Sequence, residues 1–139
     1  MATNISRLKI KASREKVWDA ITNPEKVKSW QYGSELTTDW KVGNEIHFKS
    51  EWEGQIFKQW GTVLEFEPNK NLKYKLFAPR PDLEDKPENY FEMEYQLTEK
   101  ENGTELKIIH EDNRPGAKQE AEQGEENPVL KMLKELIEK

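Results

Sequence analysis

The stretch from Ser13 to Trp30, SREKVWDAITNPEKVKSW, constrains the fold most, because it sets two short helices into a chain that otherwise alternates like a sheet. Ser13 is placed to cap a first helix with its hydroxyl, and Glu15 falls in the positive first turn. Val17, Trp18 and Ile21 recur at the three- and four-residue spacing of one buried face. Asn23 caps a second helix, with Pro24 at the first helical position, where its missing N–H costs nothing. Val27 and Trp30 share a face of that helix.

The flanking segments have a period of two, the mark of half-buried strands. Ser6, Leu8 and Ile10 alternate with Arg7 and Lys9, and Thr37 to Trp40 predicts a short strand. Ile46, Phe48, Ser50 and Trp52 alternate with His47, Lys49 and Glu51, and Glu53-Gly54 supplies a tight hairpin turn into Gln55 to Glu67. That segment mixes parities: Phe57 and Val63 lie on one, and Ile56, Trp60, Leu64 and Phe66 on the other. A bulge near Gly61 is the expected resolution. Leu72, Tyr74 and Leu76 mark the next strand, followed by APRPDLEDKPE, whose three prolines predict a long surface loop. Phe91, Met93, Tyr95 and Leu97 give the clearest two-faced strand, and Asn102-Gly103 turns it into Thr104, Leu106, Ile108 and His110.

From Glu111 to Asn127 the apolar side chains are Ala117 and Ala121, so this stretch is expected to be exposed or mobile. Asn127-Pro128 opens a last helix whose buried face carries Val129, Leu130, Leu133, Leu136 and Ile137. A helix of about 12 residues is marginal alone in water. Burying four or five such side chains contributes on the order of 6 to 15 kcal/mol before entropy, so packing must hold it.

At 139 residues the chain is expected to form one domain spanning 1–139, large enough to need no disulfide or metal staple. It contains no cysteine, which excludes thiol nucleophiles, zinc-thiolate sites and iron–sulfur clusters. The net charge of -5 opposes attraction to nucleic acid and to anionic membranes. The start lacks the apolar core of a signal peptide, and no run approaches the roughly 20 apolar residues of a membrane span. A cytoplasmic location is the expectation.

The order of one strand, two small helices, six strands and a C-terminal helix resembles the helix-grip arrangement of the START-like (SRPBCC) superfamily. KVWDAITNPEKVKSW is similar to the opening motif of the branch named after the activator of a heat-shock chaperone's ATPase. GTVLEFEP with Leu72 and Tyr74 is similar to that branch's central strands, Gly103 to Leu106 leading to His110 to its penultimate strand, and LKMLKELIEK to its closing helix. The resemblance implies an α+β fold: a curved antiparallel sheet of about six or seven strands around a long C-terminal helix. It also implies a chaperone as one possible protein partner. The Gly-Trp pair that such proteins often carry at the head of the last helix is absent, since Glu125 follows Gly124.

A sheet curled around one helix can enclose an apolar cavity, so the leading expectation is a non-catalytic protein that binds a small hydrophobic or aromatic ligand. Candidate lining residues are Phe48, Trp52, Trp60, Tyr74, Met93, Tyr95, Ile108 and His110 from the sheet, with Met132 and Leu133 from the helix. Rings would supply shape and stacking, while tyrosine hydroxyls and His110 would orient a polar end. The plainer alternative is that these side chains fill a solid core. A second class, which the resemblance implies because the superfamily includes cyclases and dehydratases, is a small cyclase- or hydrolase-like enzyme, in which Glu65, if it faces inward, works with His110 as acid and base. A third is an interaction module, chaperone-directed or otherwise. His47 is expected to face solvent, and two histidines so placed do not make a metal site, so neither metal nor cofactor is expected. Either a monomer or a dimer is compatible with the sequence.

Overall fold

A computed structural model describes residues 2–31, 33–124 and 126–138, except the side chain of Trp52. Seven strands form one antiparallel sheet in the order β1-β7-β6-β5-β4-β3-β2, where β1 is Ala2–Ile10, β2 Glu35–Thr38, β3 Glu45–Trp52, β4 Gln55–Glu67, β5 Asn71–Phe77, β6 Phe91–Lys100 and β7 Gly103–Asp112. Helices α1 (Arg14–Thr22) and α2 (Pro24–Trp30) follow β1, and α3 (Pro128–Glu138) closes the chain. This is the helix-grip α+β fold.

The caps sit where their side-chain chemistry requires. Ser13 accepts from the Lys16 amide at 3.3 Å, and Asn23 accepts from the Glu25 amide at 3.0 Å. Trp30 is buried and donates its indole N–H to the Ala20 carbonyl at 2.8 Å, which ties α2 to α1. Asn127 accepts from the Val129 amide at the head of α3. The Glu53-Gly54 turn has positive φ at both residues, the geometry that matches hairpin twist.

Three segments depart from the sequence expectation. β2 ends at Thr38, because Trp40 adopts φ 59 and folds its ring over Phe66 at 5.4 Å, donating its N–H to the Thr22 carbonyl. β4 does carry a bulge, but its register shifts between Val63 and Glu65 rather than at Gly61. Residues 118–122 are exposed, as expected, and Gln123 is half-buried, yet the segment is not loose, for it runs along the free edge of β1. There Arg7 N–H donates to the Gln123 carbonyl at 2.9 Å, Gln123 N–H to Ile5 at 3.0 Å, and the Gln119 amide pairs with the backbone of Thr3. An open strand edge is an association hazard, and this strap covers it.

The core lies between the concave face of the sheet and the helices. Val17, Val27, Ile46, Val63, Leu72, Leu106, Leu133 and Ile137 are all essentially inaccessible. α3 lies across α1, α2 and β1.

Candidate functional site

Residues paired in register share a face of a sheet, so the pairings sort the candidate side chains. One row runs Asn4, His110, Met93, Tyr74, Val63, and the next runs Ser6, Ile108, Tyr95, Leu72, Phe66. Both face the helices. Phe48, opposite Gln59, joins them from β3. Phe48, Tyr74, Met93, Tyr95, Ile108 and His110 thus all lie on the concave face.

Trp60 does not. It pairs with Phe77 and His47 on the convex face, packs at a tilt against the Phe77 ring at 5.4 Å, and donates its indole N–H to Asp85 at 2.9 Å. Asp85 also accepts the Tyr90 hydroxyl at 2.6 Å, so Trp60 helps pin the proline-rich loop instead of lining a cavity. Met132 and Leu133 were expected to line the cavity from α3, but Leu133 is 0% exposed within the core and Met132 only packs against it. Val129, one turn earlier, is the α3 residue on the cavity wall. The side chain of Trp52 lies outside the described residues.

Glu65 is the second reversal. The bulge at Leu64 moves the inward parity of β4 from Val63 to Phe66, leaving Glu65 on the convex face beside Lys73 at 4.0 Å. It supplies no base to the interior. His47 also faces outward, 3.7 Å from Glu45.

The concave face holds two adjoining chambers. The first, about 510 Å³, lies between Trp30, Gln31 and Ser34 beside α2, Phe48, Ser50, Glu51, Phe57 and Gln59 of β3 and β4, the β5 and β6 residues Tyr74, Leu76, Met93 and Tyr95, and Val129. The second, about 400 Å³, is walled by Asn4, Ser6, Ile108, His110, Arg114 and the strap residues Glu120, Ala121 and Gln123. Gln59, Phe91 and Met93 belong to both walls, so the chambers meet there.

Most of the polar lining of these chambers is uncharged. Tyr74 and Tyr95 lie with ring centroids 6.2 Å apart and hydroxyls 3.5 Å apart. Burial first, then the neighbouring Tyr95, holds the Tyr74 hydroxyl well above its ordinary pKa, and burial raises that of Tyr95. Both remain protonated at neutral pH. Among the described residues the buried carboxylate is Asp112, which sequence reasoning missed although it continues the inward parity of β7 beyond His110. Arg114 grips it through Nε at 2.8 Å and Nη2 at 2.6 Å, and packs over the Phe91 ring at 4.5 Å. That hydrogen bonding holds the Asp112 carboxyl below its ordinary pKa. His110 stands edge-on to Phe91 at 5.1 Å, with Nε2 sealed from solvent and 3.8 Å from Asp112, too far for a hydrogen bond. Burial is the largest influence on the ring and lowers its pKa. Asp112 and Glu120 pull it up, Arg114 pushes it down, and the net direction is downward.

Both shifts act in the same sense on stability. A folded-state pKa below the unfolded value means that the unfolded chain binds the proton first as pH falls. The His110 contribution is intact above its ordinary value of 6.5 and is lost just below it, and that of Asp112 is lost below 3.8. The thermal midpoint is therefore expected to fall between pH 7 and 5, and His110→Gln to flatten that fall while the steeper loss below pH 4 remains. Equal slopes in the two proteins between pH 7 and 5 would remove His110 as the cause.

The chain matches the family model described as activator of Hsp90 ATPase homolog 1-like protein over residues 11–138. A solution structure of a protein from Cytophaga hutchinsonii is 34% identical, with 84% of this chain and 80% of that one aligned at a TM-score of 0.71. A crystal structure from Chromobacterium violaceum, 21% identical, covers 99% of this chain and 97% of its own at 0.78. The Aha1 dimer from Colwellia psychrerythraea, solved in solution, is 24% identical over 84% of this chain and 81% of that one at 0.61. No curated protein matches the chain. Among the described residues no helix is long and apolar enough to cross a membrane.

Proposed function

The chain belongs to the activator of Hsp90 ATPase homolog 1-like family, and we propose that within it this protein is a non-catalytic binder of a small hydrophobic or aromatic molecule. One observation carries the reading: the chamber of about 510 Å³ between the sheet and the helices, whose walls are mostly aromatic and aliphatic. Its volume lies in the range of ligand sites, and the polar groups on this mostly apolar wall, of which Glu51 alone is charged, suit orientation more than catalysis. A packed core would leave no such space. Phe48, Tyr74 and Tyr95 supply flat surfaces for an aromatic body, with Phe48 and Tyr74 centroids 5.8 Å apart.

An enzymatic reading needs a base within reach of a bound substrate, and the candidate Glu65 stands on the other face of the sheet. Asp112 is already held by Arg114, which favours a structural carboxylate over a proton-transfer group.

Filling the cavity tests the reading. Met93 is on the wall of both chambers, so Met93→Trp is expected to lower retention of a co-purifying or added aromatic ligand by at least about tenfold while the fold survives, because the new side chain occupies space and disrupts little packing. Native mass spectrometry before and after denaturation, on wild type and variant, reads this directly. A ligand mass retained equally by both proteins would place binding elsewhere.

A further inference from the structure

The second chamber is the part of the cavity that a purely apolar ligand would leave unexplained. Its polar side chains divide into those already satisfied and those with bonding capacity left. Asn4 is satisfied: its amide donates to the Lys118 carbonyl at 3.2 Å and accepts from the Glu120 N–H at 2.6 Å. Gln123 donates to Glu120 at 3.0 Å and accepts from Asn127 at 2.6 Å. Arg114 has its charge balanced by Asp112 through two hydrogen bonds. Two groups remain. The Gln59 side chain makes no hydrogen bond among the described residues, and it stands where the chambers meet. The His110 ring is 30% exposed, turns its sealed Nε2 toward Asp112, and forms part of the chamber wall with its Nδ1 making no hydrogen bond among the described residues.

These two groups have complementary capacities. A neutral imidazole can accept at one ring nitrogen, and a carboxamide offers both a donor and an acceptor. A hydroxyl, which donates once and accepts, satisfies both. A carboxylate has no proton to give the imidazole, and it would approach Glu120 on the wall and Asp112 behind His110. Burying such a charge beside Phe91, Met93 and Ile108 without a free counter-ion is costly.

We propose that the second chamber receives the head of the ligand and that this head is an uncharged hydroxyl, of the phenol or alcohol class, held by Gln59 and His110. The proposal rests on the cavity reading above and narrows it: the ligand is an amphipathic neutral molecule whose aromatic or alicyclic body fills the first chamber.

Three probes of one shape separate the possibilities by equilibrium dialysis at pH 7.5: naphthalene, 2-naphthol and 2-naphthoate. The expected order is naphthol tighter than naphthalene by about 5- to 10-fold, as for one or two net hydrogen bonds, and tighter than naphthoate by at least about 100-fold. In His110→Leu the preference for naphthol over naphthalene is expected to fall toward onefold. Gln59→Leu, at a partly exposed strand position, gives the same readout should the histidine variant fail to fold. Naphthoate binding as tightly as naphthol, or an undiminished naphthol preference in the variants, overturns the proposal. If none of the three probes binds, the cavity reading itself fails and takes this inference with it, a different result from binding without discrimination.

Discussion

Gly61→Ala is expected to lower the unfolding free energy by about 3 kcal/mol or more, among the largest effects of any single methyl group added to this chain. Gly61 sits on the concave face between Ile46 and Leu76, where β4 passes unusually close to β5. A Cβ there would fall on the carbonyl oxygen of Lys75, 2.7 Å from its carbon and 3.0 Å from the Leu76 Cα. Every atom it meets is backbone of a hydrogen-bonded neighbour, so no rotamer change can relieve the contact, and the strands must separate. Gly54 provides the control. Its φ of 80 makes alanine strained, but nothing lies within 4 Å of the added carbon, so Gly54→Ala is expected to cost only about 1 kcal/mol. Urea midpoints of the two variants, compared with wild type, should differ accordingly. Similar midpoints would mean that β4 and β5 can part cheaply at Gly61.

The same glycine marks the limit of what the sequence reveals. Both helix starts were legible, because Ser13 and Asn23 carry their cap chemistry locally. The faces of β5, β6 and β7 were legible because their alternation is unbroken, and with them the concave placement of Tyr74, Met93, Tyr95, Ile108 and His110. β4 was not. A glycine in a strand signals either a bulge or a close backbone approach, and the two leave the same trace in sequence. At Gly61 it is the approach, and the bulge falls at Leu64, an ordinary-looking residue. That displacement decides where Glu65 points, removing the carboxylate from which an enzyme could have been argued. Trp60 misled for another reason. A large aromatic side chain predicts burial but not the face, and here the burial comes from the loop that Asp85 and Tyr90 fold over the convex side. The strap at 118–123 was invisible because its partners, Thr3, Asn4, Ile5 and Arg7, lie more than a hundred residues away, and its own composition records only exposure.

Leu133→Ala is the second large effect, expected at about 3 to 4 kcal/mol, since a leucine with no accessible surface leaves a cavity that close-packed neighbours cannot collapse. Its consequence for binding differs from that of Val129→Ala, although both lie on α3. Val129 is half-buried and touches the chamber, so trimming it widens the ligand space and should cost about 1 kcal/mol of stability at most. Leu133 holds the helix against the core. A helix of this length has little stability of its own, so weakening that anchor loosens the whole wall to which Val129 belongs. Ligand affinity in Leu133→Ala should therefore fall together with protection of the α3 amides from hydrogen exchange, while Val129→Ala changes affinity with those amides still protected. Loss of binding in Leu133→Ala with α3 fully protected would instead make Leu133 a contact residue and return it to the cavity wall.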